Sequence, residues 1–192
     1  ELWRIDCNED SYRKDKKGGK IPYASPPGPS ECIGTPVLYD NKIYVAIGQD
    51  PEHGDGVGRI SCIDPTKRGD ISNSGLVWKY TDIGRTISTA SVADGLVYIA
   101  EYAGKIHCLD AKTGKPYWVH DTLSRIWGST LVADGKVYIG TEDGEVVIFN
   151  AGKEKKIIST MDMGAPVYSS PVFANGTLYI STQTHLYAIG KK

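Results

Sequence analysis

Phenylalanine and methionine are nearly missing from this 192-residue chain: two of each stand against 12 Tyr and four Trp. Its aromatic surface is therefore carried by rings with a polar tip, which suits half-buried strands better than a greasy helical core. An excess of charge of one sign is also missing. The 22 Lys and Arg are balanced by 23 Asp and Glu, a formal net charge of -1, so nothing pulls the chain onto phosphate backbones and nucleic acid is excluded as a partner class. No apolar run approaches the roughly 20 residues that a membrane helix requires, so no membrane span is expected. Four cysteines, Cys7, Cys32, Cys62 and Cys108, form neither a CxxC knuckle nor a CxxCH haem attachment, which removes metal or haem on thiols. The chain opens at Glu1 without Met or an apolar leader; a mature form or a piece of a larger protein is expected.

What is abundant is turn chemistry. The 22 Gly and 10 Pro make up a sixth of the residues, as in proteins built of turns and strands. One pattern recurs four times, each copy an apolar stretch, an Asp/Asn-containing turn and a second apolar stretch: Leu38 to Val45, Val92 to Ile99, Val132 to Ile139 and Phe173 to Ile180. Tyr44, Tyr98, Tyr138 and Tyr179 mark the equivalent position and lie 54, 40 and 41 residues apart. Such pairs read as β-hairpins. A third strand follows each, at Arg59–Asp64, Lys105–Asp110, Glu145–Asn150 and His185–Ile189, and a fourth follows three of them, at Leu76–Tyr80, Pro116–His120 and Lys156–Thr160. Four antiparallel strands in about 40 residues make one propeller blade. The fold class is therefore all-β, a β-propeller of four-stranded antiparallel blades.

The chain divides into an outer strand at 1-5, a long loop at 6-30, blade 1 at 31-80 with an insertion at 48-58, blade 2 at 81-120, blade 3 at 121-160, and blade 4 at 161-192 without its outer strand. Residues 1-5 are expected to supply that missing strand, with Trp3 in the role of Trp78 and Trp118. Intramolecular closure of a monomer is favoured because tethered ends meet at high effective concentration; a dimer exchanging these strands, or a segment of a larger ring of about seven or eight blades, are the other arrangements.

Cys108-Leu109-Asp110 followed by Ala111-Lys112-Thr113-Gly114-Lys115-Pro116-Tyr117-Trp118 closely resembles the tryptophan-docking motif of the PQQ-like β-propeller family. The resemblance implies that Asp110, Thr113 and Gly114 shape the turn between third and fourth strands and that Trp118, like Trp78 and Trp3, packs structurally against a neighbouring blade. Blade 3 carries no Trp at this position. Within the family the chain is most similar to secreted bacterial propellers and, more distantly, to the propeller lipoprotein of the outer-membrane protein assembly machinery; a periplasmic or otherwise extracytoplasmic location follows from the resemblance. Dehydrogenase members are similar in an adjacent-cysteine disulfide against PQQ and an acidic and amide set around calcium. No such Cys pair occurs here, so no cofactor is expected, PQQ with calcium being the alternative.

Candidate sites gather in loops, which are free of packing duties. Repeat alignment makes Arg85 and Arg125 equivalent, with Trp127 and Tyr168 nearby in their own copies; two guanidiniums and two rings suit an anionic or planar ligand. Their bland reading is ion pairs or bonds to backbone carbonyls. In the insertion, Asp50, Glu52, His53 and Asp55 are weak metal candidates whose spacing fits neither an EF-hand nor a zinc motif. Cys7 and Cys32 bracket 24 residues, where a disulfide would remove loop entropy in an oxidising compartment. The basic stretch from Ser11 to Lys20 suits an acidic partner or a solvated loop. His107, His120 and His185 fall in three blades with no nucleophile motif. The leading expectation is a non-catalytic binding or scaffolding propeller whose partner is a protein or a small ligand. The alternatives are a PQQ-dependent alcohol or sugar dehydrogenase and a hydrolase or lyase with a channel-mouth site. Fold alone does not choose among them.

Overall fold

In the computed structural model, which describes residues 1–22, 28–54 and 56–190, helix is confined to one turn at each of two places. In chain order the elements are β1 (Trp3–Arg4), α1 (Asp10–Arg13), β2 (Val37–Tyr39), β3 (Lys42–Ile47), β4 (Arg59–Ile63), β5 (Gly69–Asp70), β6 (Leu76–Tyr80), β7 (Ser91–Ala93), β8 (Leu96–Ala100), β9 (Lys105–Asp110), β10 (Pro116–Asp121), β11 (Leu131–Ala133), β12 (Lys136–Gly140), β13 (Glu145–Asn150), β14 (Ile157–Asp162), β15 (Val172–Ala174), β16 (Thr177–Ser181) and β17 (Leu186–Gly190). A 3-10 turn covers Pro51–His53. Two compact units divide the chain, residues 1–89 and 90–192. Residues 23–27 of the proline-rich stretch, Asp55 and the last two lysines lie outside the described residues.

The first unit holds the antiparallel sheet β2-β3-β4-β6. The second holds β7-β8-β9-β10, β11-β12-β13-β14 and the three-stranded β15-β16-β17. This meander is the expected blade, and the hairpins form for the expected reason: the turn residues Asp94-Gly95, Asp134-Gly135 and Asn175-Gly176 all have positive φ, as a two-residue turn matching the strand twist demands. The first turn does this with Asp40 and Asn41, both residues that tolerate the left-handed region. The central strands are the core. All five residues of β8 are buried, as is every residue of β12 except Lys136, because a blade is covered on both faces.

Between sheets of the second unit, β11 lies beside both β7 and β15. The Ser91 hydroxyl donates to the Thr130 carbonyl at 2.7 Å and the Ser129 N–H to the Ser170 hydroxyl at 2.8 Å. Gly128 has no room for a side chain there: an added Cβ would stand 2.7 Å from the Ser169 carbonyl oxygen.

A second joint is made by Trp118. Its register partner is Cys108, whose own partner on the other side is Tyr98; the first unit repeats the row as Tyr44, Cys62 and Trp78. Each Tyr–Trp pair has ring centroids 5.9 Å apart. The Trp118 ring stacks on Phe149 of the next sheet at 5.3 Å and 24°, and its Nε1 donates to the Gly152 carbonyl at 3.0 Å. The turn that aims it is tied by Asp110, whose Oδ1 accepts from the Lys112 and Thr113 N–H groups and the Thr113 hydroxyl while Oδ2 accepts from the Tyr117 hydroxyl. Gly114 closes it at φ +70°.

The N-terminal strand is a correction. β1 is not the outer strand of the last blade; it pairs in parallel with β5, Trp3 opposite Gly69 and Arg4 opposite Asp70. Trp3 and Ile5 pack on the first unit's cluster of Cys7, Val45, Ile47, Ile63 and Ile71. The last sheet has three strands among the described residues. The expected self-closure through residues 1-5 is thus replaced by a local pairing, because the expanded turn after β4 offers a strand edge in the same unit.

Both ends of the long loop are clamped. The Asn8 side chain donates to the Ser30 carbonyl at 2.9 Å and accepts from the Ser30 N–H at 2.8 Å. Beside this clamp, buried Cys7 and exposed Cys32 are free thiols in hydrogen-bond contact. The Cys7 thiol donating to Cys32 brings the latter down to about 7, and the same contact together with burial pushes Cys7 up. Burial raises Cys62 and takes Cys108 to about 12.

Two outcomes are expected. Trp118→Ala removes a ring that is 7% exposed and should lower unfolding stability by about 3–5 kcal/mol in chemical denaturation; an unchanged midpoint would contradict the inter-sheet role. Among the thiols, Cys32 should be alkylated first, its rate rising as pH climbs through about 7 because only the thiolate reacts. Mild oxidation should then consume Cys7 and Cys32 together and raise stability by about 3 kcal/mol. Mass spectrometry showing Cys62 or Cys108 labelled as fast would contradict the assignment.

Candidate functional site

Each first strand is entered by a loop, and in the second unit two of these loops bring aromatic rings into a row. Trp127 stands edge-on to Tyr102 at 5.0 Å and 88°, and Tyr168 stands edge-on to Trp127 at 5.9 Å and 84°. Burial falls along the row, from Tyr102 at 6% exposed to Tyr168 at 41%. The Arg125 guanidinium lies over the Tyr102 ring at 5.5 Å and 4.0 Å from Glu142, with its side chain 62% exposed. The indole N–H of Trp127 donates to the same Glu142 carboxylate at 3.1 Å. The loop is fixed from below, where the Ile126 N–H donates to the Tyr102 carbonyl at 3.1 Å and the Glu142 N–H to the Arg125 carbonyl at 2.8 Å.

Three of the four expected ligand-binding residues, Arg125, Trp127 and Tyr168, are thus neighbours. Arg85 belongs to the first unit, where its guanidinium donates to the Gly54 carbonyl and supports the insertion. Arg85 and Arg125 thus sit in different units, each with a local partner, the Gly54 carbonyl for one and Glu142 for the other. Glu142 also changes the chemistry: an anion approaching Arg125 meets a carboxylate beside it, so the row suits a neutral or amphipathic contact better than an anionic one. Tyr102 and Glu142 escaped the sequence reading. They occupy equivalent repeat positions, four residues beyond Tyr98 and Tyr138, and aligning the ends of the second strands would have found them.

Other polar groups serve the frame. Asp50 accepts from the Glu52 N–H at 2.9 Å and caps the 3-10 turn. Glu52 and His53 are exposed, Asp55 lies outside the described residues, and no group of three His, Cys, Asp or Glu among the described residues is placed to hold a metal ion. Glu101 and His107, 3% and 2% exposed, meet at 3.3 Å beneath the surface. In the first unit a cleft of about 470 Å³ is lined by Asp6, Glu9, Arg59, Asp70 and Lys79. Its cations are engaged: Glu9 pairs with Lys79 and, at 3.6 Å, with the buried Arg59, which also donates to the Ser61 hydroxyl at 2.9 Å. This network anchors the N-terminal segment to its sheet.

Comparison with known proteins agrees with this architecture. The fold resembles BamB from Moraxella catarrhalis with a TM-score of 0.64 and 18% identity over 82% of this chain and 46% of that one. A quinohemoprotein alcohol dehydrogenase from Pseudomonas putida is similar with a TM-score of 0.62 and 20% identity, over 80% of this chain and 28% of that one. In sequence, tetrathionate hydrolase of Acidithiobacillus ferrooxidans is 25% identical over 120 residues, 56% of this chain and 24% of that protein. The chain spans less than half the length of each of these proteins. Residues 56–157 match the family model described as outer membrane protein assembly factor BamB. That is more than half of the chain and contains the docking turn at Asp110–Trp118, so the chain belongs to this PQQ-like β-propeller family.

Proposed function

We propose that the chain is a non-catalytic binding propeller segment acting in the periplasm or otherwise outside the cytoplasm, and that it holds a protein partner through Tyr102, Trp127 and Tyr168 with Arg125 and Glu142. The observation that carries this reading is the row itself. Three aromatic rings graded from buried to exposed, with an arginine beside them on rigidly supported loops, have the composition of an interface hot spot. Because the row is already fixed by backbone and side-chain hydrogen bonds, little ordering entropy opposes association. The family match and the BamB likeness support the class of function; the residues that would meet the partner are this chain's own.

Catalysis lacks comparable support. A quinone held by adjacent cysteines and calcium does not fit these residues, since Cys7, Cys32, Cys62 and Cys108 are far apart in sequence. Among the described residues no carboxylate cluster faces such a group. For a hydrolase, the Glu101–His107 acid–imidazole pair is buried, 3% and 2% exposed, where a substrate at the surface does not reach it.

A photo-crosslinking residue placed at position 168 in producing cells should give one discrete crosslinked protein, and Trp127→Ala should abolish it, a hot-spot loss of about 2 kcal/mol or more. Trp127→Ala should leave the unfolding midpoint nearly unchanged. Purified protein supplied with PQQ, calcium and an alcohol should not reduce an artificial dye. Alcohol-dependent dye reduction with saturable quinone binding would reject the non-catalytic reading, and a crosslink indifferent to Trp127→Ala would reject the site.

A further inference from the structure

One inter-sheet joint in the second unit is built without its tryptophan. In register, Tyr98–Cys108–Trp118 of one sheet becomes Tyr138–Ile148–Ser159 in the next. The wall that receives the ring shifts in the same way. Phe149, paired with Val137, takes the Trp118 stack; its counterpart in the last sheet is Ile189, paired with Leu178. Where Trp118 fills the joint, Phe149 is 0% exposed; where Ser159 stands, Ile189 is 40% exposed. A cavity of about 710 Å³ lies between these sheets, with Tyr138, Ile148 and, from the strand that carries Ser159, Ile158 and Met161 on one wall and Phe173, Leu178 and Ile189 on the other. Asp134 and Lys136, paired at 2.9 Å, mark its rim.

We propose that this slot is a binding site for a small planar aromatic molecule of indole size. The preceding joint of the same unit identifies the occupant: an equivalent space, bounded by an equivalent Tyr and an equivalent apolar pair, is filled there by an indole lying flat against the receiving wall. A slot with two apolar walls and a polar rim, in the size range of about 300–1,000 Å³ typical of ligand pockets, takes a flat apolar ring edge-first. Apolar cavities opened by loss of a large side chain bind compounds of the missing shape. This site is separate from the Tyr102–Trp127–Tyr168 row and does not depend on it.

The probe is indole itself, titrated into the ¹⁵N-labelled chain. Saturable shifts are expected at the amides of Tyr138, Ile148, Leu178 and Ile189, with none at Trp127 or Tyr168. Ser159→Trp rebuilds the missing ring and should raise the unfolding midpoint while abolishing indole binding; Ser159→Ala should bind as the parent does. Ile189→Trp fills the slot from the opposite wall and gives the same loss where Ser159→Trp does not fold. The proposal is overturned if indole produces no saturable shifts, if the shifts map outside the slot, or if both tryptophan variants fold and still bind. Shifts caused by a tryptophan-bearing peptide but not by indole would assign the slot to a protein partner and overturn it as well.

Discussion

The contact between Trp118 and Phe149 is the constraint on which the second unit depends. A four-stranded sheet covers its own hydrogen bonds but leaves two apolar faces, and neither β8 nor the last four residues of β12 could be buried unless the next sheet were held flat against it. The indole does this with area and direction at once: its face meets Phe149 and its N–H ends on the Gly152 carbonyl. The Asp110 carboxylate matters because it fixes where that ring points. Tyr117 and Thr113 bonded to it hold its pKa below the ordinary Asp value. The turn's electrostatic support is therefore complete above pH about 4 and fades as pH falls through the lowered folded value.

Much of this was legible in the sequence because the signals are stereochemical. Asp94-Gly95 and Asp134-Gly135 can hardly be anything but tight hairpin turns, and strands read from the residues flanking them fall within a residue or two of their observed limits. β1 was legible as a strand but not in its partner. Two residues carry no period, and Trp3 looks like Trp78 and Trp118 by type alone; what decides its pairing is the Gly69–Asp70 edge presented by an expanded turn, a tertiary accident of one blade. Arg85 and Arg125 show the same limit. Repetition placed them at equivalent positions, but their partners differ: the Gly54 carbonyl belongs to the first blade's insertion, while Glu142 stands at a repeat position that holds Tyr102 in the blade before.

The candidate sites follow one rule: where the repeat departs from itself, side chains are released from packing. Position 127 is Trp where the second blade has Ile87, and the ring joins Tyr102 and Tyr168 in an exposed row. Position 159 is Ser where the second blade has Trp118, and a cavity lies between its sheet and the next. The proposed contact surface and the proposed slot for a planar ring would thus both follow from local substitutions on an otherwise uniform frame. This is how a family fixed by its fold acquires separate binding functions.

A double-mutant cycle across the joint tests the central claim most directly. Trp118→Ala, Phe149→Leu and the double variant would each be unfolded in denaturant. An aromatic stack that couples the sheets predicts an interaction energy of about 0.5–1.5 kcal/mol beyond the sum of the single effects. Single effects that add to within about 0.3 kcal/mol would mean that the two rings stabilise their own sheets independently, contradicting the account of how this fold is held together.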